Sequence, residues 1–384
     1  MVSELDNSHR YAEFFCGGGM VRAALDATWS CVLANDIDPL KCAVYGRNWG
    51  AAGLIPGDVA ELDDTPLRQP IDLYWASSPC QDFSLAGAGR GLSGARSGVF
   101  STWIDKITPV VEAGFAPRII AFENVVGLMT RRGGADFDAV LGALIALGYR
   151  VGVMEIDARR FVPQSRPRLF VVAVRDDVEV AHLSAPGPSG PFHTAKVARY
   201  HARLPKRMRA QWVWWKHAAP VQTAPTLESV LDAEPDTPWL SKRDVKALRA
   251  MMSPTSLAKV QTALDHGGFQ VGTLYKRGRP DGAGRTHQRA EVRFDGIAGC
   301  LRTPAGGSSR QTLLIADQGA LRARLISSRE AMRLMGLADS YALPGRYNEA
   351  YKVAGDGVVV PVVAYLEAAI FRPVLAASAR KAAA

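Results

Sequence analysis

The sequence has few of the features that support a secreted or metal-stapled fold. Its 384 residues include only five cysteines, and no two of them form a CxxC pair. The cysteine number is odd and we recognise no secretory leader, so we expect neither a disulfide scaffold nor a zinc knuckle. We therefore predict a reducing, cytoplasmic location and no structural metal.

Long hydrophobic runs are also lacking. The longest run near the C-terminus, residues 358–366, contains Pro361 and stops at Glu367. It falls well short of the roughly 20 apolar residues that a membrane span needs, so we expect no membrane segment. Hydrophobic residues nevertheless make up 48% of the chain and charged residues only 22%, which predicts a globular protein with a packed core.

Apolar runs alternate with helical patterns over the first 175 residues. This alternation predicts a Rossmann-like α/β fold with a doubly wound, mostly parallel sheet. The strand-like runs are residues 11–15, 31–34, 71–76, 118–122 and 169–174, and the helical patterns include 102–113 and 137–147.

The rhythm breaks near residue 180, where a basic, tryptophan-containing insert begins. Residues 196–293 hold 18 Lys and Arg against 8 Asp and Glu, whereas the rest of the chain is close to neutral. A basic surface favours a polyanionic partner, although a solvated surface is the alternative interpretation. We predict a catalytic and cofactor-binding domain at 1–180, a smaller basic domain at 181–320, and a segment at 321–384 that returns to the first domain. Ser327 and Glu330 have capping-box spacing.

A glycine turn follows the first predicted strand. Gly17, Gly18 and Gly19 let a ligand approach the backbone closely, and Asp36 at the end of the next strand can accept hydrogen bonds from ribose hydroxyls. Together they indicate an adenosine-containing cofactor, although such glycines also occur in turns for geometric reasons alone. Phe15 belongs either to the core or to the cofactor site. The full GxGxxG and P-loop patterns are absent, which disfavours NAD and ATP.

Cys80 and Glu123 each follow an apolar run, so both are expected at the carboxyl edge of the sheet, where ligands bind in such folds. A thiolate there could act as a nucleophile and a carboxyl group could exchange a proton. The alternatives are a buried, inert thiol and a carboxylate that caps a turn.

Arginines supply candidate anion contacts. The Gly- and Ser-rich residues 84–98 carry Arg90 and Arg96 and suit either a mobile lid over phosphates or an ordinary surface loop. Arg166 and Arg168 precede a predicted strand and suit a phosphate or a base carbonyl, or else surface salt bridges.

Taken in order, these motifs resemble the successive motifs of the cytosine-5 DNA methyltransferase family. The resemblance covers roughly residues 11–175 and 322–370 and makes the basic insert similar to the family's variable target-recognition region. The segments that carry it are FCGGG at 15–19, NDID at 35–38, GDV at 57–59, PCQ at 79–81, ENV at 123–125, QSRPR at 164–168, SREAMRLMG at 328–336 and GDGV at 355–358.

The resemblance implies that a cytosine is flipped out of double-stranded DNA and methylated on carbon 5, with S-adenosylmethionine as cofactor. Cys80 would attack carbon 6, Glu123 would engage the ring nitrogen and amino group, and Arg168 would bind the base carbonyl, while Arg166 and Ser84 would position the lid and the phosphates. The implied cofactor site comprises Phe15, Gly17, Gly19, Asp36, Ile37, Asp58, Val59, Pro79, Asp356 and Val358, and the implied DNA contacts are Gln81, Ser84, Arg90 and Arg96.

Three positions depart from the family's usual residues. Met20 and Phe161 stand where the family usually has glycine, and Asp356 replaces a common asparagine. An RNA cytosine methyltransferase and an inactive DNA-binding regulator stay open as alternatives. We expect a monomer at the nucleoid, alone or alongside a restriction endonuclease.

Overall fold

The computed structural model of the protein describes residues 9–79, 98–220, 224–280, 285–303 and 309–382. Contacts within the chain divide it into two compact units. The first unit comprises Met1–Ile156, Pro167–Pro220 and Val362–Ala384, and the second comprises Asp157–Arg166 and Val221–Pro361. Each unit is therefore built from more than one stretch of sequence.

A seven-stranded sheet forms the centre of the first unit. It confirms the predicted Rossmann-like, mostly parallel α/β fold. The strands lie in the order β3-β2-β1-β4-β5-β7-β6, and β7 runs antiparallel to β5 while the described pairs among β1 to β5 are parallel. In chain order they are β1 (His9–Phe14), β2 (Trp29–Asp36), β3 (Leu54–Pro56), β4 (Leu73–Ala76), β5 (Ile119–Val125), β6 (Tyr149–Asp157) and β7 (Pro167–Arg175).

The strand order determines where ligands can bind. The chain starts at β1, winds outward through β2 and β3, and then returns to β4 on the other side of β1. The carboxyl ends of β1 and β4 therefore flank a switch point, which is where open α/β sheets bind ligands. Because β7 is reversed, its first residues lie at the same edge as the last residues of β5.

Helices cover the sheet and close the core. Phe14, Ile120 and Val171 from the strands meet Trp103 and Leu141 from the helices, and all five are fully buried. Each such side chain stabilises the fold by roughly 1.5–3 kcal/mol. The predicted helices at 102–113 and 137–147 are confirmed as α3 and α4. The helices are α1 (Met20–Ala24), α2 (Pro39–Trp49), α3 (Val99–Val110), α4 (Ala135–Ala146), α5 (Ala195–Arg203) and α6 (Lys206–Arg209).

The tryptophan-containing part of the insert packs on β6. The backbone N–H of Val151 donates to Gln211 O, and that of Val213 donates to Val151 O, each at 2.8 Å. Trp215 is fully buried, and a Cβ on Gly152 would lie 2.2 Å from its Nε1. Two short antiparallel strands, β8 (Ser184–Ala185) and β9 (Trp214–Trp215), also belong to this segment.

The unit limits depart from the domain boundaries predicted at residues 180 and 320. Residues 181–220 belong to the first unit because their tryptophans are buried against β6, and residues 321–361 belong to the second unit because β13 (Ala320–Leu325) completes its sheet. Only residues 362–384 of the C-terminal segment return to the first unit.

The second unit contains a four-stranded antiparallel sheet in the order β11-β10-β12-β13. Two helices, α7 and α8, pack their apolar residues Leu248 and Val260 against Leu274 and Leu314 of the sheet. The elements are α7 (Lys242–Ala250), α8 (Pro254–Asp265), β10 (Gln270–Pro280), β11 (Thr286–Arg293), β12 (Thr312–Asp317), β13, α9 (Ser328–Arg333) and α10 (Tyr347–Asp356), followed along the chain by α11 (Val360–Leu366) and α12 (Arg372–Ala382).

The C-terminal helices include one stretch, Tyr347–Ala377, that is long and apolar enough to cross a membrane by length and composition. It is longer than the apolar run recognised in the sequence. In its most apolar 18 residues, 61% is buried within the protein, as in core helices of soluble proteins. The stretch is therefore weak evidence for a membrane span.

A buried ion pair supports the start of α9. Arg324 donates to both carboxylate oxygens of Glu330, at 2.5 and 2.7 Å, and both side chains are 2% exposed. Glu330 also accepts from the backbone N–H of Ser327, which confirms the predicted capping box, and from that of Asp232. The acid therefore joins the end of β13 and the start of α9 to the separate segment at Asp232.

We predict that Glu330→Ala lowers the free energy of unfolding by about 3–5 kcal/mol, because it leaves the Arg324 charge buried without its partner. Urea unfolding of the second unit measures the change. The control, Asp339→Ala, breaks an ion pair to Arg333 whose acid is 62% exposed, and should cost less than about 1 kcal/mol. Equal losses in the two variants would contradict the prediction.

Two histidines lie close together beside β9. The rings of His193 and His217 are 4.6 Å apart, and His217 stacks on Phe192. The pKa of both histidines is lowered to about 4, at His217 by burial and at His193 by burial together with the neighbouring His217 ring. Within the described ranges neither ring nitrogen of His217 has a hydrogen-bond partner. Both rings are therefore neutral in the folded protein at neutral pH.

Acid should destabilise the first unit through these two rings. Their pKa in the folded protein lies below the value of about 6.5 in an unfolded chain, so unfolding takes up protons. Their contribution is fully present above about pH 6.5 and is lost as the pH falls towards 4. We expect His193→Gln/His217→Gln to flatten the dependence of melting temperature on pH over this range, whereas His182→Gln, at an exposed position, should not. An equally steep dependence in the double variant would show that other groups are responsible.

Candidate functional site

Five residues predicted for the site follow or end neighbouring strands of the first unit. Phe15 follows β1, Asp36 ends β2, Asp58 comes shortly after β3, Pro79 comes shortly after β4, and Glu123 lies near the end of β5. Parallel strands present their carboxyl ends at the same edge of a sheet. The structure therefore brings these residues to the switch-point edge, as the sequence predicts.

The glycine turn after β1 forms an open cradle. Phe15, Gly17 and Gly19 all have positive φ, at 59°, 56° and 79°. No atom lies within 4 Å of the position that a Cβ on Gly17 would occupy, so the backbone there is open to a ligand. At Gly19 a Cβ would lie 2.3 Å from Nε1 of Trp49, which itself donates to the carbonyl of Gly18 at 3.2 Å.

Asp36 connects the cradle to β2. Its Oδ2 accepts from the backbone N–H of Gly17 at 2.8 Å, and its Oδ1 accepts from that of Asp38 at 2.9 Å. A carboxylate offers about four acceptor positions, so two are left for ribose hydroxyls. Next to it, Ile37 is a large apolar side chain that is 65% exposed.

The remaining first-unit residues of the predicted cofactor site differ in exposure. Asp58 is exposed and accepts from the backbone N–H of Ala60 at 2.9 Å. Val59 is 3% exposed and its side chain is part of the core. Pro79 is exposed.

Glu13 is a buried acid beneath this cradle that the sequence interpretation missed. It is 1% exposed, and its Oε2 has no hydrogen-bond partner in the described parts of the chain. Burial, followed by the negative charge of Asp36, raises the pKa of Glu13 well above its ordinary value. The signal in the sequence is one acid within the apolar run of β1.

Glu123 and Arg168 form an ion pair at the same edge. Arg168 Nε lies 3.2 Å from Glu123 Oε1, and the side chains are 16% and 10% exposed. The guanidinium also donates to the carbonyl of Pro167 at 2.9 Å. Among the described residues, three of its five N–H donors have no partner and are left for a ligand such as a base carbonyl. The structure thus places a carboxylate and a guanidinium side by side.

Asn124 supports the end of β4, a role that the sequence did not reveal. Its Nδ2 donates to the backbone carbonyl of Ser78 at 3.0 Å, and both residues are buried. Asn124 therefore fixes the backbone that leads to Pro79. The motif at 123–125 was recognised, but nothing in the sequence indicated which atoms Asn124 contacts.

The predicted nucleophile and DNA contacts, Cys80, Gln81, Ser84, Arg90 and Arg96, lie outside the described residues. Burial raises the pKa of the Cys16 and Cys31 thiols, and that of Cys42 to about 11, so these three cysteines are poor nucleophiles. In the described ranges there is no cluster of three or more His, Cys, Asp or Glu that could hold a metal ion.

Arg166 belongs to the second unit and is almost completely buried, at 2% exposure. Its guanidinium donates to the carbonyls of Leu301, Gly355 and Gly357 at 2.7–2.8 Å. It therefore braces two backbone segments and does not face outward, which differs from the predicted contact with phosphates.

The C-terminal motif of the second unit is tightly packed. A Cβ on Gly355 would lie 2.6 Å from the backbone nitrogen of Thr303, so only glycine fits there. The Thr303 hydroxyl donates to the Asp356 carboxylate, and Val358 is buried. The unusual acid therefore has a local hydrogen-bond partner.

The other two departures from the family pattern have local explanations. Met20 begins α1 and is buried, so it adds an apolar side chain to the fold. Phe161 has a φ of −126°, which a non-glycine residue adopts without strain.

The second unit also contains a polar cleft of about 160 Å³. Tyr275, Arg277 and Arg302 contribute to its lining, and both guanidinium groups lie within 6 Å of the tyrosine ring. Such a cationic and aromatic lining suits phosphates or bases.

Comparison with known proteins agrees with the motif order. The family model for C-5 cytosine-specific DNA methylase matches residues 9–372. The Type II methyltransferase M.Eco47II of Escherichia coli is 31% identical over 176 residues, which cover 45% of this chain and 41% of the relative. The chain thus spans about two fifths of that relative. The Type II methyltransferase M.HhaI of Haemophilus parahaemolyticus is 23% identical over 359 residues, which cover 93% and 92%.

Solved structures show the same fold. S. pombe Dnmt2 methyltransferase superposes with a TM-score of 0.55 and 18% identity over 95% of this chain and 99% of that chain. A putative DNA modification methyltransferase encoded within an E. coli prophage gives a TM-score of 0.55 and 17% identity over the same shares.

The two left-handed glycines of the cradle should respond differently to substitution. Gly17→Ala has only backbone strain to overcome, about 1–2 kcal/mol. Gly19→Ala also forces the new methyl group into Trp49, which adds about 1–3 kcal/mol. Urea unfolding should rank Gly19→Ala as the less stable variant. Equal stability would mean that Trp49 moves aside freely.

Proposed function

Because the chain belongs to the C-5 cytosine-specific DNA methylase family, we propose that it methylates carbon 5 of a cytosine in double-stranded DNA, with S-adenosylmethionine as the methyl donor. The observation that carries the proposal is the Glu123–Arg168 pair, which lies at the same sheet edge as the glycine cradle. A carboxylate beside a guanidinium matches the amino, ring-nitrogen and carbonyl groups along one edge of cytosine.

The cradle fits S-adenosylmethionine. Gly17 leaves open backbone for the amino acid part, Asp36 has acceptor positions for the ribose hydroxyls, and exposed Ile37 offers an apolar surface to the adenine ring. Asp58 would accept a hydrogen bond from the adenine amino group. The other assigned contacts on the first unit are Phe15, Gly19, Val59 and Pro79. When bound, S-adenosylmethionine supplies a methyl group on a positively charged sulfur.

The cytosine must leave the helix first, at a cost of a few kcal/mol. Glu123 then holds its ring nitrogen and amino group, and Arg168 holds its carbonyl. The Cys80 thiolate adds to carbon 6, which makes carbon 5 electron-rich. After methylation, the carbon 5 proton passes to solvent water and its bonding electron pair restores the double bond between carbons 5 and 6. The carbon–sulfur electron pair leaves with Cys80 as its thiolate.

Other residues of the chain support this chemistry by position. Asn124 fixes the backbone of Ser78, two residues before the nucleophile, and Arg166 holds the motif that contains Asp356. We assign positioning roles to both. Gln81, Ser84, Arg90 and Arg96 would contact the DNA from the residues after Cys80.

The second unit would read the target sequence, with the cleft at Tyr275, Arg277 and Arg302 as its cationic surface. The Type II methyltransferases among the relatives support, as a partner, a restriction endonuclease that recognises the same DNA sequence. We propose that the protein acts as a monomer in the cytoplasm, on nucleoid DNA.

Transfer of labelled methyl groups from S-adenosylmethionine to duplex DNA of diverse sequence tests the proposal. We expect Cys80→Ser to abolish transfer and Glu123→Gln to slow it by about 10²–10⁴-fold. The control Cys31→Ser replaces the thiol beside Tyr45 with a hydroxyl that can make the same hydrogen bond, and it should leave transfer unchanged. Unlabelled DNA, or activity in Cys80→Ser, would contradict the proposal.

Two further measurements separate the alternatives. Duplex DNA that carries 5-fluorocytosine should form a covalent adduct with the wild type and none with Cys80→Ser, whereas an inactive regulator would bind it without an adduct. In direct competition, label should enter DNA and not tRNA. Label that enters tRNA instead would establish an RNA cytosine methyltransferase.

A further inference from the structure

The positive charge of the basic insert is concentrated in the first unit. Residues 196–220 contain seven Lys and Arg and no Asp or Glu, whereas residues 221–293 contain eleven against eight. The contacts assign residues 196–220 to the first unit. Most of the net charge therefore lies in the unit that holds Glu123 and Arg168, and not in the proposed target-recognition unit.

Some of these cations already have partners. Lys196 pairs with Glu155 at 2.8 Å, and Arg203 pairs with Asp138 at 2.8 Å. The other five have no ion pair with a carboxylate anywhere in the described ranges, and all of them are exposed: Arg199, Lys206, Arg207, Arg209 and Lys216. Lys216 donates to the carbonyl of His182 at 3.2 Å. Three of these five lie in α6, within four residues of one another.

Core packing holds α6 with its charges outward. Leu204 and Met208 are buried in the core of the first unit, while the residues on either side of Met208 are exposed. Proximity of like charges disfavours the folded state unless an anion compensates them. The arrangement thus costs stability in the free protein and suits a bound polyanion.

The start of α6 is fixed near the end of β5. Arg203, three residues before α6, donates to the carbonyl of Gly133 at 2.8 Å. A Cβ on Gly134 would lie 2.1 Å from Arg203 Nη2, so this contact is close. Residues 131–134 follow the turn Val126–Met129, which continues directly from β5 and Glu123. The chain therefore enters α6 beside the segment that follows β5, and it leaves α6 towards Gln211, whose carbonyl accepts from the backbone N–H of Val151 in β6.

We propose that Lys206, Arg207 and Arg209 form a phosphate-contact surface on the first unit that binds the backbone of double-stranded DNA. The inference rests on the proposed function, since an enzyme that flips a cytosine must also hold the backbone of the duplex. Phosphate contacts carry no sequence information, so this surface supplies affinity and register while the second unit reads bases.

The full chain with the substitutions Lys206→Gln/Arg207→Gln/Arg209→Gln tests the surface. Each lost phosphate contact makes the negative slope of log affinity against log salt shallower by about 0.9, so the three substitutions should reduce its magnitude by about 2–3. Binding to a random duplex at low salt should become at least about tenfold weaker. The matched control, Arg47→Gln/Arg68→Gln/Lys106→Gln, removes three charges from other helices and turns of the first unit and should change neither quantity.

Further readouts separate this inference from the proposed function. The triple variant should keep the wild-type melting temperature, the affinity for S-adenosylmethionine and the rate of methyl transfer at saturating DNA, with only KM for DNA raised. If the wild type transfers no methyl group but its binding to duplex DNA depends on Lys206, Arg207 and Arg209, the proposed function is wrong and the phosphate-contact surface stands. The proposed surface would be wrong if the triple variant kept the wild-type salt slope or if the control variant lost as much affinity. It would also be wrong if the wild type did not bind duplex DNA, or if the triple variant lost affinity only for RNA.

Discussion

The candidate site depends on the reversed direction of β7. In an all-parallel sheet, the residues at the carboxyl edge come only from strand ends, and a residue at the start of a strand lies at the opposite edge. Because β7 runs antiparallel to β5, Val125 pairs with Arg168, and the guanidinium reaches the Glu123 carboxylate two residues away. The carboxylate and the guanidinium thus meet across two directly paired strands.

Much of the first unit could be predicted because its strands are buried on both faces and read as continuous apolar runs. The glycine turn was equally visible, since Gly17 and Gly19 adopt left-handed backbone angles that other residues avoid. β6 was missed because Arg150, Gly152 and Glu155 interrupt its apolar pattern. Gly152 is needed there because a side chain would collide with Trp215, which lies 63 residues further along the chain. Such long-range requirements leave no local signal.

The motif at residues 164–168 also shows that long-range contacts leave no local signal in the sequence. Arg166 and Arg168 are alike in sequence, and both were expected to face a ligand. The chain passes from the second unit to the first between them, so Arg166 satisfies three backbone carbonyls while Arg168 pairs with Glu123. Composition predicts that an arginine will find acceptors, but which acceptors lie within reach depends on contacts with residues more than 130 positions away.

The net positive charge of the basic insert is divided unevenly between the two units, which the sequence alone did not reveal. A net charge counted over residues 196–293 assigned affinity for a polyanion to the target-recognition region as a whole. Residues 221–293 are instead nearly balanced, and acids there pair with arginines, as Glu291 does with Arg277 and Arg279. Paired arginines are less available to phosphates but keep directional N–H donors for base edges. On the proposed function, the unpaired cations of the first unit would bind any duplex, and the arginines that Glu291 restrains would distinguish one sequence from another.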